Sequence, residues 1–356
     1  MKPYLDYVYW CLISDHSKIN TIHKVLLESE INEYYPDVNV ESLREGKSKR
    51  DVFLKHRFTK YIYTVKNATL EPSKGWVILG LNKIFLFSFP MIQDPWDKPK
   101  ARPSTLRYLY ILIFRRKRIK CLDKAISIQY AWQNYYHFLI DTLPQILLIN
   151  DSGIDSRIPI IVPHFFKEIK YVQQFMKLTD IINRPIIIQN KKEYIKVKQL
   201  YIAKDVFCSK GIMRIKSVFR NFTNPSNPLK IASLRGKKYG RTIHNFEEIE
   251  KILTNKGFKI IEPGDYSFKD QVEMFSNAQI IIGVHGAALT NIIFSKKKSL
   301  KLLEILPGNG LIPEHYKNIC RQLDYSYLSI EGQKTFPNGN FYVEPNMLKE
   351  KISEFL

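Results

Sequence analysis

The apolar positions follow different patterns in the two parts of this chain. Up to about residue 100 the apolar runs are brief and separated by turn residues, as at 76–79 and 83–89. From residue 125 onward, short aliphatic runs alternate with segments whose apolar residues recur at helical spacing. Because strands that alternate with helices over short links form parallel sheets covered by helices, we expect an α/β fold there.

These two periodicities place the individual elements of the second part. Strands are predicted at 125–130, 158–162, 185–189, 199–203, 229–234, 259–261, 279–284, 300–305 and 325–330. Helices are predicted at 135–149, 165–178, 246–255, 269–277, 314–323 and 347–355. Pro144 interrupts the first helix, and two Asn-Pro pairs in 221–228 indicate a linker.

Composition fits two domains of ordinary size. The chain has 356 residues, 45% of them hydrophobic, which is enough to bury a core in each part. Its net charge of +21 favours anionic partners such as nucleic acid, an acidic membrane or phosphorylated substrates. The usage of Lys, Ile, Asn and Tyr also suits an AT-rich genome, so charge alone selects no partner.

The cysteines and the apolar runs of the sequence indicate the cellular compartment of the protein. The four cysteines lie far apart, at no metal-ligand or redox spacing, which indicates free thiols in a reducing compartment. The N-terminal apolar stretch at 7–14 is too short for a signal core or a membrane span. We therefore expect a soluble cytoplasmic protein, at most peripheral at a membrane surface.

The segment after the predicted strand 279–284 carries candidate chemistry. Small residues at the end of a strand let the backbone approach a ligand, and the free N–H groups of a following helix suit a diphosphate. His285 stands at the carboxyl end of the strand, where open parallel sheets bind ligands. The alternative is a tight turn in which His285 is a satisfied core histidine. The segment reads His285, Gly286, Ala287, Ala288, Leu289, Thr290 and Asn291.

Two further groups would lie at the same edge of that sheet. Arg235 ends one predicted strand, and Arg241 and Asn245 precede the next helix. Guanidinium groups pair with phosphates in a bidentate manner, although a solvated basic loop is the alternative. Glu304, near the end of the strand 300–305, is placed to accept hydrogen bonds from ribose hydroxyls. Its alternative is a surface carboxylate beside a turn.

His137 and Asp141 form a candidate acid–base pair. They are four residues apart in a predicted helix, so they share one face of an otherwise apolar segment. A carboxylate that orients an imidazole is an arrangement used for base catalysis. The alternative is a polar pair that anchors the helix to a neighbour. The nearby helix end at Pro144 favours the functional interpretation.

Taken in order and spacing, these motifs resemble glycosyltransferase family 61. The resemblance covers about residues 127–330, and His-Gly-Ala-Ala-Leu-Thr-Asn is its most specific part. It rests on the runs at 137–144, 282–291 and 304–307, together with Arg235, Arg241, Asn245 and Gln271.

The resemblance implies an inverting glycosyltransferase of α/β class with a GT-B-like fold, in which two Rossmann-like domains with parallel sheets face a cleft. Residues 1–100 would be a divergent segment of the acceptor domain, and 101–225 the acceptor-side Rossmann-like domain. Residues 226–335 would bind the nucleotide sugar, and 336–356 would form a C-terminal helix. The implied donor is commonly UDP-linked. No Asp-x-Asp occurs in the chain, so no metal and no cofactor are expected.

The resemblance also implies roles for the candidate residues. Asp141 or His137 would deprotonate the acceptor hydroxyl, with Asp141 preferred because a carboxylate also suits positive charge at the anomeric centre. His285 would assist the leaving nucleotide, Glu304 would hold the ribose, and Asn245 would lie at the donor site. Arg235 and Arg241 would neutralise charge, and donor contacts would come from His285, Gly286, Ala287, Ala288, Thr290 and Asn291.

The chain is most similar to microbial members of the family, which serve capsule or lipopolysaccharide assembly. The expected partners are then a nucleotide sugar, a saccharide or lipid-linked saccharide acceptor, and an anionic membrane surface, with no nucleic acid. Two alternatives remain: a sugar-nucleotide-binding member that transfers nothing, and a basic nucleic-acid-binding protein. The latter lacks zinc spacing and a recognisable RNA-binding signature.

Overall fold

The structure is a computed structural model with two compact units. The N-terminal unit comprises Met1–Gln133 and His137–Phe207, and the C-terminal unit comprises Asn134–Tyr136 and Cys208–Leu356. Within these bounds the structure describes residues 11–13, 17–26, 40–45, 59–73, 75–85, 103–115, 119–128, 133–205, 209–220, 229–235, 242–296, 299–308, 314–333, 336 and 339–355. The predicted linker 221–228 lies outside the described residues.

The described residues of the N-terminal unit form one mixed sheet and several helices. The strands are β1 Cys11–Ile13, β2 Ile19–Leu26, β3 Thr59–Leu70, β4 Val77–Leu79, β5 Lys83–Phe85, β6 Lys120–Ser127, β7 Ile160–Pro163, β8 Ile186–Gln189 and β9 Ile195–Lys204. The helices are α1 Val40–Glu45, α2 Thr105–Phe114, α3 Tyr135–His137, which continues into the C-terminal unit, α4 Leu143–Asp151 and α5 Lys170–Leu178.

This sheet is not the purely parallel one that a Rossmann-like domain requires. Its order is β1-β5-β4-β3-β9-β6-β7-β8, with β2 on β3. β6 to β9 are mutually parallel where they pair, but β3 is antiparallel to β9 from Tyr61↔Lys204 to Leu70↔Ile195. The predicted divergent segment 1–100 therefore supplies a central strand of the sheet.

A π-helical turn separates α3 from α4. Phe138–Thr142 forms this turn, and the N–H of Leu143 donates to the carbonyl of Phe138. Pro144 lies in the first turn of α4, directly after this π-helical turn. The predicted interruption at Pro144 is thus a local change of helical pitch, and the helical segment continues to Asp151.

The C-terminal unit contains a parallel sheet with helices, as predicted. The strands are β10 Leu229–Ser233, β11 Lys259–Ile261, β12 Ala278–Val284, β13 Lys301–Leu306 and β14 Ser326–Glu331, in the order β11-β10-β12-β13-β14. All four described pairings are parallel. The helices are α6 Ser209–Val218, α7 Phe246–Asn255, α8 Phe268–Ser276, α9 His315–Leu323 and α10 Pro345–Phe355.

The first and last helices of the C-terminal unit, α6 and α10, pack against the rest of the unit. Leu348 and Ile352 of α10 are buried in the same core cluster as Ile282 and Leu303 of the sheet. At the other end, Lys216 of α6 donates to the Ser295 carbonyl at 2.6 Å. The unit therefore begins ahead of the predicted boundary at 225/226, and the C-terminal helix is part of it. No helix of the described residues is long and apolar enough to cross a membrane.

Candidate functional site

The strand order of the C-terminal unit marks one place for a ligand. The chain order runs outward in opposite directions from β10 and β12, so the sheet has a switch point between these two adjacent strands. Ligands of open α/β sheets bind beyond the carboxyl ends of the strands at such a point. Arg235 follows the end of β10, and His285 follows the end of β12.

Arg235 and Gly286 approach each other closely at this switch point. A Cβ atom placed on Gly286 would lie 2.9 Å from Nη2, 3.0 Å from Nε and 3.1 Å from Cζ of Arg235. The backbone of Gly286 is extended, with φ 164°, and any residue adopts that conformation. Glycine is therefore needed here because the guanidinium lies against the backbone, not because of the dihedral angle.

A buried carboxylate fixes His285. Glu304 lies on β13 opposite Gly283 of β12, and its Oε1 is 2.6 Å from Nδ1 of His285. Its Oε2 accepts a hydrogen bond of 2.8 Å from the Tyr327 hydroxyl. Because a carboxylate only accepts, Nδ1 carries the proton. Among the described residues, Nε2 of His285 has no hydrogen-bond partner.

This geometry gives Glu304 a structural role. The residue is 2% exposed, and each oxygen has a donor on an adjacent element. Glu304 holds the imidazole of His285, and its negative charge adds to burial in raising the pKa of the Tyr327 hydroxyl, so Tyr327 remains a neutral donor. The ribose contact of Glu304 stays a prediction.

The segment after His285 has an outer and an inner part. Ala287–Phe294 is a 3₁₀ helix, where the pattern predicts the start of a helix. Ala287 and Ala288 are half-buried at its first turn, where N–H groups lack intrahelical partners. Thr290 and Asn291 are fully buried, which places them away from any ligand at the surface of the site.

Asn291 is held by several hydrogen bonds inside the unit. Its Nδ2 donates to Oε1 of Gln271 and to the carbonyl of Ala288, each at 3.0 Å. Its Oδ1 accepts from the Tyr135 hydroxyl at 2.6 Å. The Oγ1 of Thr290 is buried without a hydrogen-bond partner in the described part of the chain. Both side chains therefore occupy structural positions inside the unit, and the donor contacts of Thr290 and Asn291 stay predictions.

Aromatic residues that the sequence analysis did not single out surround His285. The hydroxyl of Tyr316 donates to the Gly286 carbonyl at 2.6 Å. The ring of His315 lies parallel to that of His285, with 6.4 Å between centroids, and 4.6 Å from the ring of Tyr136. His315 begins α9, the next described element after the strand that carries Glu304. This position in the chain is the sequence signal from which His315 could have been predicted as a site residue.

The Asn245 side chain is hydrogen-bonded within the C-terminal unit. It donates to the carbonyl of Val343 at 2.9 Å and accepts from the N–H of the same residue at 3.1 Å. It also donates to Glu248 at 3.0 Å. These bonds fasten the C-terminal segment to the start of α7, and the donor contact of Asn245 stays a prediction. Arg241 lies outside the described residues.

The predicted acid–base pair is formed within the N-terminal unit. Nδ1 of His137 is 2.6 Å from Oδ2 of Asp141, and the side chains are 24% and 27% exposed. The π-helical turn carries Asp141. Both groups are therefore in contact with each other and accessible to solvent.

A comparison with protein families identifies the family that the central part of the chain matches. The family model described as Glycosyltransferase 61 matches residues 135–302, a range that includes the His137–Asp141 pair, Arg235 and the 3₁₀ helix. Residues 135–302 belong to glycosyltransferase family 61. The resemblance inferred from the motifs, and with it the class of glycosyltransferases, is confirmed over that range.

Solved structures add a distant similarity. The chain is similar to the iron-containing dodecameric glycosyltransferase TibC from enterotoxigenic Escherichia coli H10407, with 11% identity and a TM-score of 0.31. The match covers 62% of this chain and 65% of TibC, so the chain spans less than two thirds of that protein. At this TM-score the likeness carries no argument, and the GT-B arrangement stays a prediction. No curated protein matches the chain.

Proposed function

We propose that the protein is an inverting, metal-independent glycosyltransferase that moves a sugar from a nucleotide-sugar donor, UDP-linked, to a saccharide acceptor. The observation that carries this proposal is the position of Arg235 against Gly286 at the switch point, beside a histidine that a buried carboxylate holds. The family assignment of residues 135–302 supports the reaction class.

The C-terminal unit supplies the donor chemistry. The donor diphosphate is an anion, and Arg235 with the first N–H groups of the 3₁₀ helix offers positive charge and donors to it. When the bond between the anomeric carbon and the diphosphate oxygen breaks, negative charge grows on that oxygen. Protonated His285 donates from Nε2 to this oxygen, and Glu304 stabilises the imidazolium. Fixed cationic groups thereby take the place of a metal.

The His137–Asp141 pair supplies the base. Inversion requires that an acceptor hydroxyl loses its proton while its oxygen attacks the anomeric carbon. Asp141 is the preferred proton acceptor, with His137 holding its Oδ2 at 2.6 Å. Asp141→Asn and His137→Gln separate the two candidates, because loss of the base itself should lower the transfer rate far more than loss of the residue that holds it, with nucleotide binding intact in both variants.

The proposed setting is capsule or lipopolysaccharide-type glycan synthesis in the cytoplasm, with a lipid-linked acceptor at the inner face of the membrane. Its support is the net charge of +21, since anionic lipids attract such a surface. This setting is separate from the donor chemistry, and each can fail without the other.

Thermal unfolding with a panel of nucleoside diphosphates, with and without divalent metal, tests the donor proposal. A ligand at about a hundred times its dissociation constant adds about 2.7 kcal/mol, a rise of a few degrees. We expect a metal-independent rise with UDP that is lost in Arg235→Gln. Arg321→Gln is the matched control, because Arg321 is an exposed arginine on α9.

Two outcomes would contradict the proposal. No stabilisation by any nucleotide, together with stabilisation by oligonucleotides, would favour the nucleic-acid-binding alternative. A rise with UDP but no transfer to any saccharide acceptor, and no hydrolysis of UDP-sugars, would favour the sugar-nucleotide-binding alternative. His285→Ala is expected to abolish transfer, and full activity in this variant would remove its catalytic role.

A further inference from the structure

Helix α2 of the N-terminal unit carries an apolar stripe that its own unit does not cover. Leu106 is 71% exposed, Ile113 68% and Phe114 69%, and Tyr110 is 48% exposed. Their spacing of four, three and one residues places them on one face of the helix. Large apolar side chains grouped on a surface mark an interaction site more often than scattered ones do.

The opposite face of α2 is firmly packed, so the exposed stripe is not a consequence of a loose helix. The Tyr108 side chain is 2% exposed, and its hydroxyl donates to the Gly80 carbonyl at 2.8 Å. Its ring lies 5.5 Å from that of Tyr194. Arg107 donates to the Lys191 carbonyl at 2.8 Å, and Ser104 caps the first turn. The helix is therefore fixed with the stripe outward.

The sequence that includes α2 is strongly basic. Between residues 98 and 120 the sequence contains nine Lys and Arg residues and no Asp or Glu. Arg115 and Lys120, which follow the helix, are exposed. The exposed Lys191 and Lys192 lie in the turn that Arg107 contacts. An apolar stripe bordered by cations is complementary to the surface of an anionic membrane, in which acyl chains lie under anionic headgroups.

Other occupants fit this surface less well. A second copy seated on the same face would bring two sets of exposed cations together, among them Arg115 and Lys120. A nucleic acid would satisfy the charges but would leave Leu106 and Ile113 without an apolar partner. The combination of stripe and charge therefore favours a membrane.

We propose that α2 and the basic residues around it form the surface by which this protein lies on an anionic membrane. Leu106, Ile113 and Phe114 insert below the headgroups, and Arg115 and Lys120 bind lipid phosphates. This inference deepens the membrane setting of the proposed function by naming the surface. Its test is independent of nucleotide binding.

Sedimentation of the full chain with vesicles of phosphatidylcholine, with and without phosphatidylglycerol, tests the proposal. We expect salt-sensitive binding to the anionic vesicles and a loss of more than tenfold in the triple variant Leu106→Ser, Ile113→Ser, Phe114→Ser. Arg115→Gln is expected to weaken binding about fivefold. Leu81→Ser is the matched control, since Leu81 is 60% exposed in the same unit and lies outside the stripe.

Every alternative result is distinguishable. The proposal would be overturned if wild-type protein does not bind anionic vesicles, or if the triple variant binds them as well as wild type. A dimer in light scattering that the triple variant dissociates would assign the stripe to a second copy. Oligonucleotide binding that the same variant loses would assign it to nucleic acid. The unfolding midpoint of the triple variant without ligand must stay near that of wild type, which shows that the chain remains folded whether or not it binds a nucleotide.

Discussion

Gly286→Ala provides the most direct test of the donor site, because the change is one methyl group at a defined distance. The new Cβ would lie 2.9 Å from Nη2 and 3.0 Å from Nε of Arg235, closer than carbon and nitrogen atoms pack. The Arg235 side chain is the flexible partner, so the guanidinium must move away. The extended backbone of Gly286 accepts alanine without strain. We therefore expect a displaced cation in a folded protein.

The size of the effect follows from the interaction that is lost. A hydrogen bond to a charged group contributes about 1.5–3 kcal/mol, which corresponds to about a ten- to hundredfold weaker nucleotide affinity. Isothermal titration of UDP into wild type and Gly286→Ala measures this ratio directly. The unfolding midpoint without ligand is expected to change little, because the methyl group meets only the end of a side chain.

A double-mutant cycle with Arg235→Ala decides whether the effect passes through the guanidinium. If it does, Gly286→Ala has no further effect on UDP affinity once Arg235 is absent, and the two changes are strongly non-additive. Additive losses would show that Gly286 acts through the backbone alone. An unchanged affinity in the single variant would refute the contact between Arg235 and the diphosphate.

Three other substitutions test the remaining parts of the site and the fold. Tyr327→Phe leaves one oxygen of the buried Glu304 without its donor, so urea unfolding should show a loss of about 1–3 kcal/mol. Ser267→Ala removes the oxygen that caps α8 through the N–H of Asp270 and should cost about 1 kcal/mol in the same assay. Asp141→Asn should lower the transfer rate by about 10²- to 10⁴-fold at unchanged UDP affinity; an equal loss in affinity would contradict a role as base.

The C-terminal unit was predictable because its elements are encoded locally. α7 and β11 have the bounds that the pattern predicts, and the other strands differ by at most one residue at each end. Strands buried on both faces give continuous apolar runs, and the helices between them have clear amphipathic faces. Each element can then be recognised without knowledge of its neighbours.

The N-terminal unit depends on contacts that local patterns do not contain. β3 is buried along most of its length and pairs with β9, more than a hundred residues later in the chain. Its burial on both faces removes the alternation that identifies a half-exposed strand. α2 is also hard to recognise from its sequence, because apolar residues lie on both its packed face and its exposed face. Helical periodicity is weak when both faces are apolar.

The site shows the same division between local and tertiary information. His285, Gly286 and Arg235 were found because each stands at the end of a strand, which the sequence indicates. The role of Glu304 depends on the register of β12 with β13 and of β13 with β14, which brings His285 and Tyr327 to the two oxygens of one carboxylate. No local pattern specifies that register, so the sequence does not indicate the contacts of Glu304 with His285 and Tyr327.

The motif after β12 therefore has two parts with separable consequences. Its first residues, His285 to Ala288, lie at the switch point, whereas Asn291 is buried and holds three partners from different elements. Asn291→Ala should leave those partners unsatisfied and lower the free energy of unfolding by about 1–3 kcal/mol, measured by urea denaturation. The UDP affinity of the protein that remains folded should stay near that of wild type. If that affinity falls as far as in Gly286→Ala, the inner residues bind the nucleotide after all, and the division of the motif is wrong.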